Sequence, residues 1–162
     1  MCFSKLFSKR KSIDTDQRVK TIDAAQTSSP RITETIRDKS WDLCFLRDLF
    51  VIAFANDGPR FSPITNEIID IFIEMNKIDP KKKEDALSID PEQIEDIYPT
   101  EYEEKTTYIH RLLYLWKHSG NRSKNESLQY IKEVSKKMNI SKEDFVMEYD
   151  IVNDSDLSMW DN

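Results

Sequence analysis

The chain has 162 residues, of which 38% are hydrophobic and 33% are charged, and its formal net charge is −6. This acidic balance disfavours nucleic-acid binding, because such affinity comes mostly from neutralising phosphate charges. Only two glycines are present, which excludes the phosphate-binding loops and nucleophile elbows that need several glycines at fixed spacing. The scarcity of glycine also disfavours tight β-hairpins. The composition therefore predicts an all-α fold.

Residues 1–39 are predicted to form a basic N-terminal arm and linker, largely disordered. They contain too few large apolar side chains to offset the entropy lost on ordering. A lipid on Cys2 together with a basic patch would make a two-signal membrane anchor. However, Cys2 stands where myristoylation requires glycine, so disorder is the favoured interpretation. The membrane-contact candidates are Cys2, Phe3, Phe7, Lys9, Arg10 and Lys11.

The first helix is predicted to begin at Trp41 and to end at Asp57. Its apolar run is too long and too dense for one strand and is typical of a buried helix. Gly58 can adopt the left-handed conformation that ends a helix, and Pro59 cannot continue one. Cys44 lies within the apolar run and is expected to pack in the core.

A second helix is predicted to begin at Ser62, the N-cap, and Pro63, the first helical residue. Apolar residues at helical spacing continue this helix to about Lys77. Two further pairs, Asp79-Pro80 and Asp90-Pro91, are predicted to begin short helices inside an acidic connector.

The second half of the chain is predicted to contain three more helices. One extends from about Thr100 to His118 and is closed by Gly120. Another carries apolar residues from Leu128 to Met138. The last begins at Ser141, which resembles the first residue of a capping box.

Residues 152–162 are predicted to form a flexible acidic tail. An aromatic side chain in such a tail is a suitable anchor for a basic groove on a partner protein. Alternatively, the tail folds back onto an apolar patch of its own helical bundle. The residues of this partner-binding segment are Asp154, Asp156, Leu157, Met159 and Trp160.

An internal repeat relates the two halves of the helical region. Shifting the chain by 62 residues places Gly58 on Gly120, and the apolar positions of the preceding and following helices align without a gap. Each unit would contain a helix, a bend at glycine, a second helix and a capping residue. The pattern predicts two pseudo-repeated helical hairpins.

Several motifs carry a family resemblance. The segment Phe50-Val-Ile-Ala-Phe-Ala-Asn-Asp57-Gly58, followed by Ser62-Pro63 and by Asn76-Lys-Ile78-Asp-Pro80, resembles the tellurite-resistance TerB-like family. The resemblance covers about residues 41–150 and implies a compact all-helical domain at residues 40–151. It also implies a role as an adaptor or metal-responsive module in bacterial stress-response or conflict systems.

The resemblance makes Asp57 the candidate ligand of a divalent metal. The second unit has Ser119 where an acid would match Asp57, so only one oxygen ligand is matched, whereas hard cations need several. His110 and His118 lie about 80° apart around one helix and would need a third element to share a metal. No cofactor other than a divalent metal is predicted.

No nucleophile with an activating base is visible, so the sequence predicts a protein that is not an enzyme. The favoured hypothesis is a cytoplasmic, non-catalytic adaptor with a protein partner, no nucleic-acid partner and at most a peripheral membrane contact through its N-terminal arm. The alternative is an immunity protein that neutralises a basic toxin through its acidic surface, because charge complementarity steers such binding. The oligomeric state is left open.

Overall fold

A computed structural model describes residues 39–154 of the chain, and within them every regular element is a helix, with no strand. The all-α prediction is confirmed for this part of the chain. A short 3-10 helix spans Pro91–Gln93 in the connector between the third and fourth α-helices. The α-helices are α1 (Asp42–Asp57), α2 (Pro63–Met75), α3 (Pro80–Ser88), α4 (Tyr102–His118), α5 (Lys124–Lys137) and α6 (Lys142–Asp154).

Helices α1 and α4 form the centre of the domain. Helix α1 packs against α3, α4 and α5, and helix α4 packs against α1, α2, α5 and α6. Helix α1 is apolar on nearly all sides, and such a helix is stable only when neighbours cover all of them. Cys44 is buried within it, as the sequence predicts. The fully buried centre of the core includes Phe45, Leu46, Leu49, Ile52, Ile109, Leu112, Leu113 and Leu115.

Helix α1 ends at Gly58, whose φ of 85° lies in the region that favours glycine. Its N–H donates to the carbonyl oxygen of Phe54 at 2.9 Å, which closes the last turn. A Cβ at this position would also lie 2.6 Å from the guanidinium of Arg122. The chain therefore turns sharply out of α1 at this glycine.

Three α-helices and the 3-10 helix begin at capping residues. In each, a side-chain oxygen accepts a hydrogen bond from a backbone N–H of the first turn, at 2.9–3.3 Å. The α6 cap departs from a capping box, because the carboxylate of Asp144 accepts the hydroxyl of its own N-cap rather than a backbone N–H. The four capping residues are Ser62, Asp79, Asp90 and Ser141.

Helix α4 ends at His118, as predicted, but Gly120 does not close it. Its C-cap is Ser119, whose N–H donates to Leu115 O at 2.9 Å. Gly120 lies one residue beyond, and its φ is outside the left-handed region that glycine would supply for a cap. This glycine is required for close packing instead, because a Cβ there would lie 2.5 Å from the carbonyl oxygen of Asn56.

Helix α6 continues three residues past the predicted start of the acidic tail, to Asp154. Val152 is buried, and Lys117 Nζ donates to the carbonyl oxygens of Val152 and Asn153 at 2.7 and 3.0 Å. The packing of this last turn against α4 keeps it helical. None of the described helices is both long enough and apolar enough to cross a membrane.

Candidate functional site

Asp57, the predicted metal ligand, is the last residue of α1 and joins two loops. Its Oδ2 accepts a hydrogen bond from the backbone N–H of Ser62 at 2.8 Å, in the loop before α2. Its Oδ1 accepts one from the backbone N–H of Gly120 at 2.5 Å, in the loop between α4 and α5. One carboxylate therefore ties the α1–α2 loop to the α4–α5 loop.

Burial and hydrogen bonds act in opposite directions on the pKa of Asp57. Partial burial raises its pKa, but hydrogen bonds from Thr65, Ser62 and Gly120 outweigh burial and hold the pKa below the ordinary aspartate value. The residues that the structure describes contain no group of three or more His, Cys, Asp or Glu side chains that could hold a metal ion. Because both oxygens of Asp57 accept hydrogen bonds from N–H groups, the carboxylate has a structural role in this geometry.

Asn56 strengthens the same junction from a buried position. Its side-chain N–H donates to Ser119 Oγ at 2.8 Å, and its Oδ1 accepts the Ser127 hydroxyl at 2.7 Å. Its carbonyl oxygen accepts the backbone N–H of Arg122 at 3.0 Å. Asn56 and Asp57 together bind the C-terminal end of α1 to the start of the second half of the domain.

The two histidines have separate surroundings. His110 Nδ1 lies 2.8 Å from Glu148 Oε2. The ring of His118 packs against Tyr114, with 4.4 Å between ring centroids. Burial, followed by the charges of two neighbouring lysines, lowers the pKa of His118. Each histidine is thus engaged by packing or pairing within the bundle.

A buried polar cluster at the middle of α1 was not predicted from the sequence. Asp48 is fully buried, and its carboxylate accepts hydrogen bonds from Arg47 Nε at 2.9 Å, Tyr108 OH at 2.7 Å and Tyr130 OH at 2.6 Å. These donors come from α1, α4 and α5. The cluster therefore ties three helices together through side chains.

Arg47 extends this cluster to the acidic connector. Its guanidinium donates to the carbonyl oxygen of Ile94 at 2.9 Å and lies 2.7 Å from Asp96 Oδ1. It also donates to Tyr98 OH and to Cys44 Sγ, both at 3.1 Å. The single arginine thus holds the chain between α3 and α4 against α1.

The cluster is built for packing rather than for nucleophilic chemistry. Burial raises the pKa of Asp48, and the nearby guanidinium and phenol donors counteract only part of that effect. Burial, together with the neighbouring Asp48, also raises the pKa of the Cys44 thiol to about 11. The thiol stays protonated at neutral pH, and a protonated thiol is a poor nucleophile. The available sequence signal was a charged pair inside an otherwise apolar run, since charged residues are rarely buried unless they are paired.

The solvent-facing side of α6 is a candidate partner surface. Val146, Met147 and Ile151 are 45%, 48% and 48% exposed. They line a shallow depression of about 580 Å³ together with Glu143, Asp150, Asp154 and Lys142. We call this surface the outer face of α6. At about 100° per residue around the helix, the three acids lie along its middle, with Met147 and Ile151 on one side of them and Val146 on the other.

A groove between α5 and α6 lies next to the outer face. We call it the α5–α6 groove, and its volume is about 520 Å³. Its apolar lining includes Leu128, Ile140, Phe145, Val146 and Tyr149. Its charged lining consists of three lysines, Lys132, Lys136 and Lys142. The groove is therefore apolar and basic, in contrast to the acidic outer face.

The remaining predicted site residues lie outside the described part of the chain. Asp154 is the exception, because it is exposed at the last residue of α6. The predicted membrane-contact residues and the rest of the predicted partner-binding segment belong to residues 1–38 and 155–162. These are Cys2, Phe3, Phe7, Lys9, Arg10, Lys11, Asp156, Leu157, Met159 and Trp160.

The chain was also compared with known proteins. No protein-family model, no curated protein and no solved structure matches it.

Proposed function

We propose that this chain is a non-catalytic protein-binding module that contacts its partner through the outer face of α6. The supporting observation is the exposure of Val146, Met147 and Ile151 along one side of a helix whose opposite side is buried. Isolated exposed apolar residues are common on proteins, whereas several grouped with charged residues on one helix face indicate a docking surface.

The acids of the outer face specify the partner chemistry. Glu143, Asp150 and Asp154 lie between the exposed apolar residues, and the whole chain carries a net charge of −6. Complementary potentials steer association and select partners. The matching partner is a basic amphipathic surface, with lysines or arginines between its apolar side chains.

The proposal that the module is non-catalytic is supported by its buried cluster. The carboxylate of Asp48 and the guanidinium of Arg47 are bonded to neighbouring side chains, and Cys44 is buried with a raised thiol pKa. No activated nucleophile results from this arrangement.

We also propose that the domain consists of two copies of one helical unit, related by a 62-residue shift. Lys77 and Asn139, 62 residues apart, end α2 and α5 with φ values of 54° and 55°. The N–H groups of Ile78 and Ile140, the residues that follow, both donate to the carbonyl oxygen five residues earlier at 3.0 Å. This is the Schellman pattern at the end of both helices.

Helix packing supports the same repeat. Helix α1 packs against α3 and α5, and its counterpart α4 packs against α6 and α2. If the two halves of the domain are exchanged, the α1–α3 and α1–α5 contacts become the α4–α6 and α4–α2 contacts, and both of these are present. Such an arrangement supports the resemblance to TerB-like domains and, with it, an adaptor role in a stress-response or conflict system.

A second candidate function is neutralisation of a basic toxin. The acids of the outer face favour it, because an inhibitor of a basic enzyme gains association rate and selectivity from opposite charge. An adaptor and an immunity protein would use the same surface, and they differ in the number and identity of their partners.

Two synthetic helical peptides test the proposed surface on the full chain. They share the same apolar residues, and between these one carries lysines and the other glutamates. We expect the lysine peptide to bind more tightly, and its affinity to fall with added salt. Met147→Asp should weaken this binding at least about fivefold, since removing one important apolar contact costs more than about 1 kcal/mol.

Met75→Asp is the matched control, because Met75 on α2 is also exposed, at 51%. It should leave the affinity unchanged. The proposal is overturned if the lysine peptide does not bind, if both peptides bind equally, or if both methionine variants weaken binding to the same extent.

A further inference from the structure

The chemistry of the α5–α6 groove differs from that of the outer face. Its apolar lining is bordered by Lys132, Lys136 and Lys142, and no acidic residue lines it. An occupant that fits it would combine large apolar side chains with negative charge. The outer face of α6 has the opposite charge and would repel such an occupant.

This chain itself carries a segment with that composition, directly after α6. The sequence from Asp154 is Asp-Ser-Asp-Leu-Ser-Met-Trp-Asp-Asn, which contains three aspartates, three large apolar residues and no basic residue. Helix α6 forms one wall of the groove and ends at Asp154. The segment therefore starts at one end of the groove wall.

The segment is long enough to reach the far end of the groove. At a rise of about 1.5 Å per residue, Lys142 lies about 18 Å from Asp154 along the axis of α6. At about 3.3 Å per residue, an extended chain from Asp154 to Trp160 reaches about 20 Å. A chain that turns back along α6 would bring Leu157 to the level of Tyr149 and Trp160 towards Phe145.

We propose that residues 155–162 of this chain bind in its own α5–α6 groove, with Leu157 and Trp160 on the apolar lining and the aspartates beside the lysines. Tryptophan buries a large apolar area and serves as the main anchor. Because the segment is covalently attached, its effective concentration at the groove is on the order of millimolar, so a weak contact is sufficient to fill the groove. This proposal does not depend on the proposed function of the outer face.

Methyl NMR spectra of the full chain and of its Trp160→Ala variant test the proposal. An indole ring in the groove shifts the resonances of the methyl groups that it covers. We expect the variant to change the methyl signals of Leu128, Ile140 and Val146 and to leave those of Leu87, an exposed residue of α3, unchanged. The changes should be independent of protein concentration.

Charge reversal in the groove provides the second measurement. Lys132→Glu combined with Lys136→Glu should reproduce the pattern of Trp160→Ala, because the repelled segment would leave the groove. The matched control Lys81→Glu reverses an exposed lysine in the first turn of α3 and should have no effect on the groove signals.

Three results would overturn the proposal. The first is a Trp160→Ala spectrum in which the groove methyl groups do not shift. The second is a shift at Ile151 on the outer face instead of at Ile140. The third is a pattern that appears only at high protein concentration, which would assign the segment to the groove of a second copy of the chain.

Discussion

Two aspartates of α1, nine residues apart, keep their carboxylates hydrogen-bonded by opposite means. Asp48 is bonded by a guanidinium and two phenols that come from three helices. Asp57 is bonded by backbone N–H groups of two loops. Burial raises the pKa of Asp48, whereas hydrogen bonds lower that of Asp57 despite its partial burial. The difference lies in solvent access and in the origin of the donors.

The comparison shows that aspartate stabilises two kinds of contact, the packing of three helices at Asp48 and the junction of two loops at Asp57. The donors to Asp48 meet only when α1, α4 and α5 are packed, so Asp48 depends on the whole bundle. The backbone donors to Asp57 come from Ser62, which is close in sequence, and from Gly120, which is not. Asp57 therefore stabilises one junction, and its loss should be less damaging.

The largest effect is expected for Asp48→Ala. It removes one partner of a buried ion pair. The Arg47 guanidinium and the Tyr108 hydroxyl then each lose a buried hydrogen-bond acceptor. Breaking such a pair costs about 3–5 kcal/mol, which urea unfolding would measure. Tyr130→Phe, which removes the hydroxyl that donates to the same carboxylate, is the control and should cost less, about 1.5–3 kcal/mol. Equal losses in the two variants would contradict this account.

A smaller loss is expected for Asp57→Ala. The variant leaves the N–H groups of Ser62 and Gly120 without their acceptor, at a cost of about 1–3 kcal/mol. Asn121→Ala, an exposed substitution in the same α4–α5 loop, should change the free energy of unfolding by less than about 0.5 kcal/mol. If Asp57→Ala destabilised the protein more than Asp48→Ala, the ranking of the two sites would be reversed.

The pH dependence of stability should separate the two carboxylates. The pKa of Asp57 is lower in the folded state than its ordinary value of 3.8. Its stabilising contribution is therefore complete above that value and is lost as the pH falls towards its folded pKa. Asp48 acts in the opposite direction, because its raised pKa makes its contribution fall as the pH rises above 3.8.

Urea unfolding of the wild type and of Asp57→Asn, between about pH 5 and pH 2, measures this effect. The stability difference between the two proteins should shrink as the pH falls, since the wild-type carboxylate becomes protonated. A difference that stays constant over this range would show that Asp57 does not titrate with a lowered pKa.

A smaller effect still is expected at the exposed end of the Asp48 cluster. Lys137 Nζ lies 2.7 Å from Asp96 Oδ2, and the two side chains are 53% and 43% exposed. Lys137→Ala should cost less than about 1 kcal/mol, and the cost should decrease further in high salt. A loss comparable to that of Asp48→Ala would show that exposure does not distinguish the two ion pairs.

No effect is expected from divalent metals. Both oxygens of Asp57 accept N–H groups, so added Ca²⁺, Mg²⁺, Mn²⁺ or Zn²⁺ should leave the melting temperature of the chelator-treated chain unchanged. A ligand that binds only the folded state would raise it. A metal-specific rise that disappears in Asp57→Ala would restore the metal-ligand interpretation of this residue.

Local rules explain which parts of the fold could be predicted. The four capping residues and the turn at Gly58 follow from short-range backbone chemistry, which is encoded within a few residues. The role of Gly120 could not be predicted from the same rules. Its role is to allow the close approach of Asn56, a residue 64 positions earlier, and such a contact leaves no local pattern.

The Asp48 cluster and the α5–α6 groove were invisible for a similar reason. Tyr108 and Tyr130 look like ordinary core aromatics in the sequence, and only the packing of α4 and α5 aims their hydroxyl groups at Asp48. The groove combines residues of two helices and the turn between them, and its lysines become one basic edge only after those helices meet.

The sequence by itself determined the helical class, most helix ends and the burial of α1, because apolar periodicity and capping act over one or two turns. The tertiary structure decided which carboxylate is buried, which loops Asp57 joins and which face of α6 is exposed. These features depend on donors and neighbours that lie far apart in the chain. Their free energy is gained only when the helices pack together.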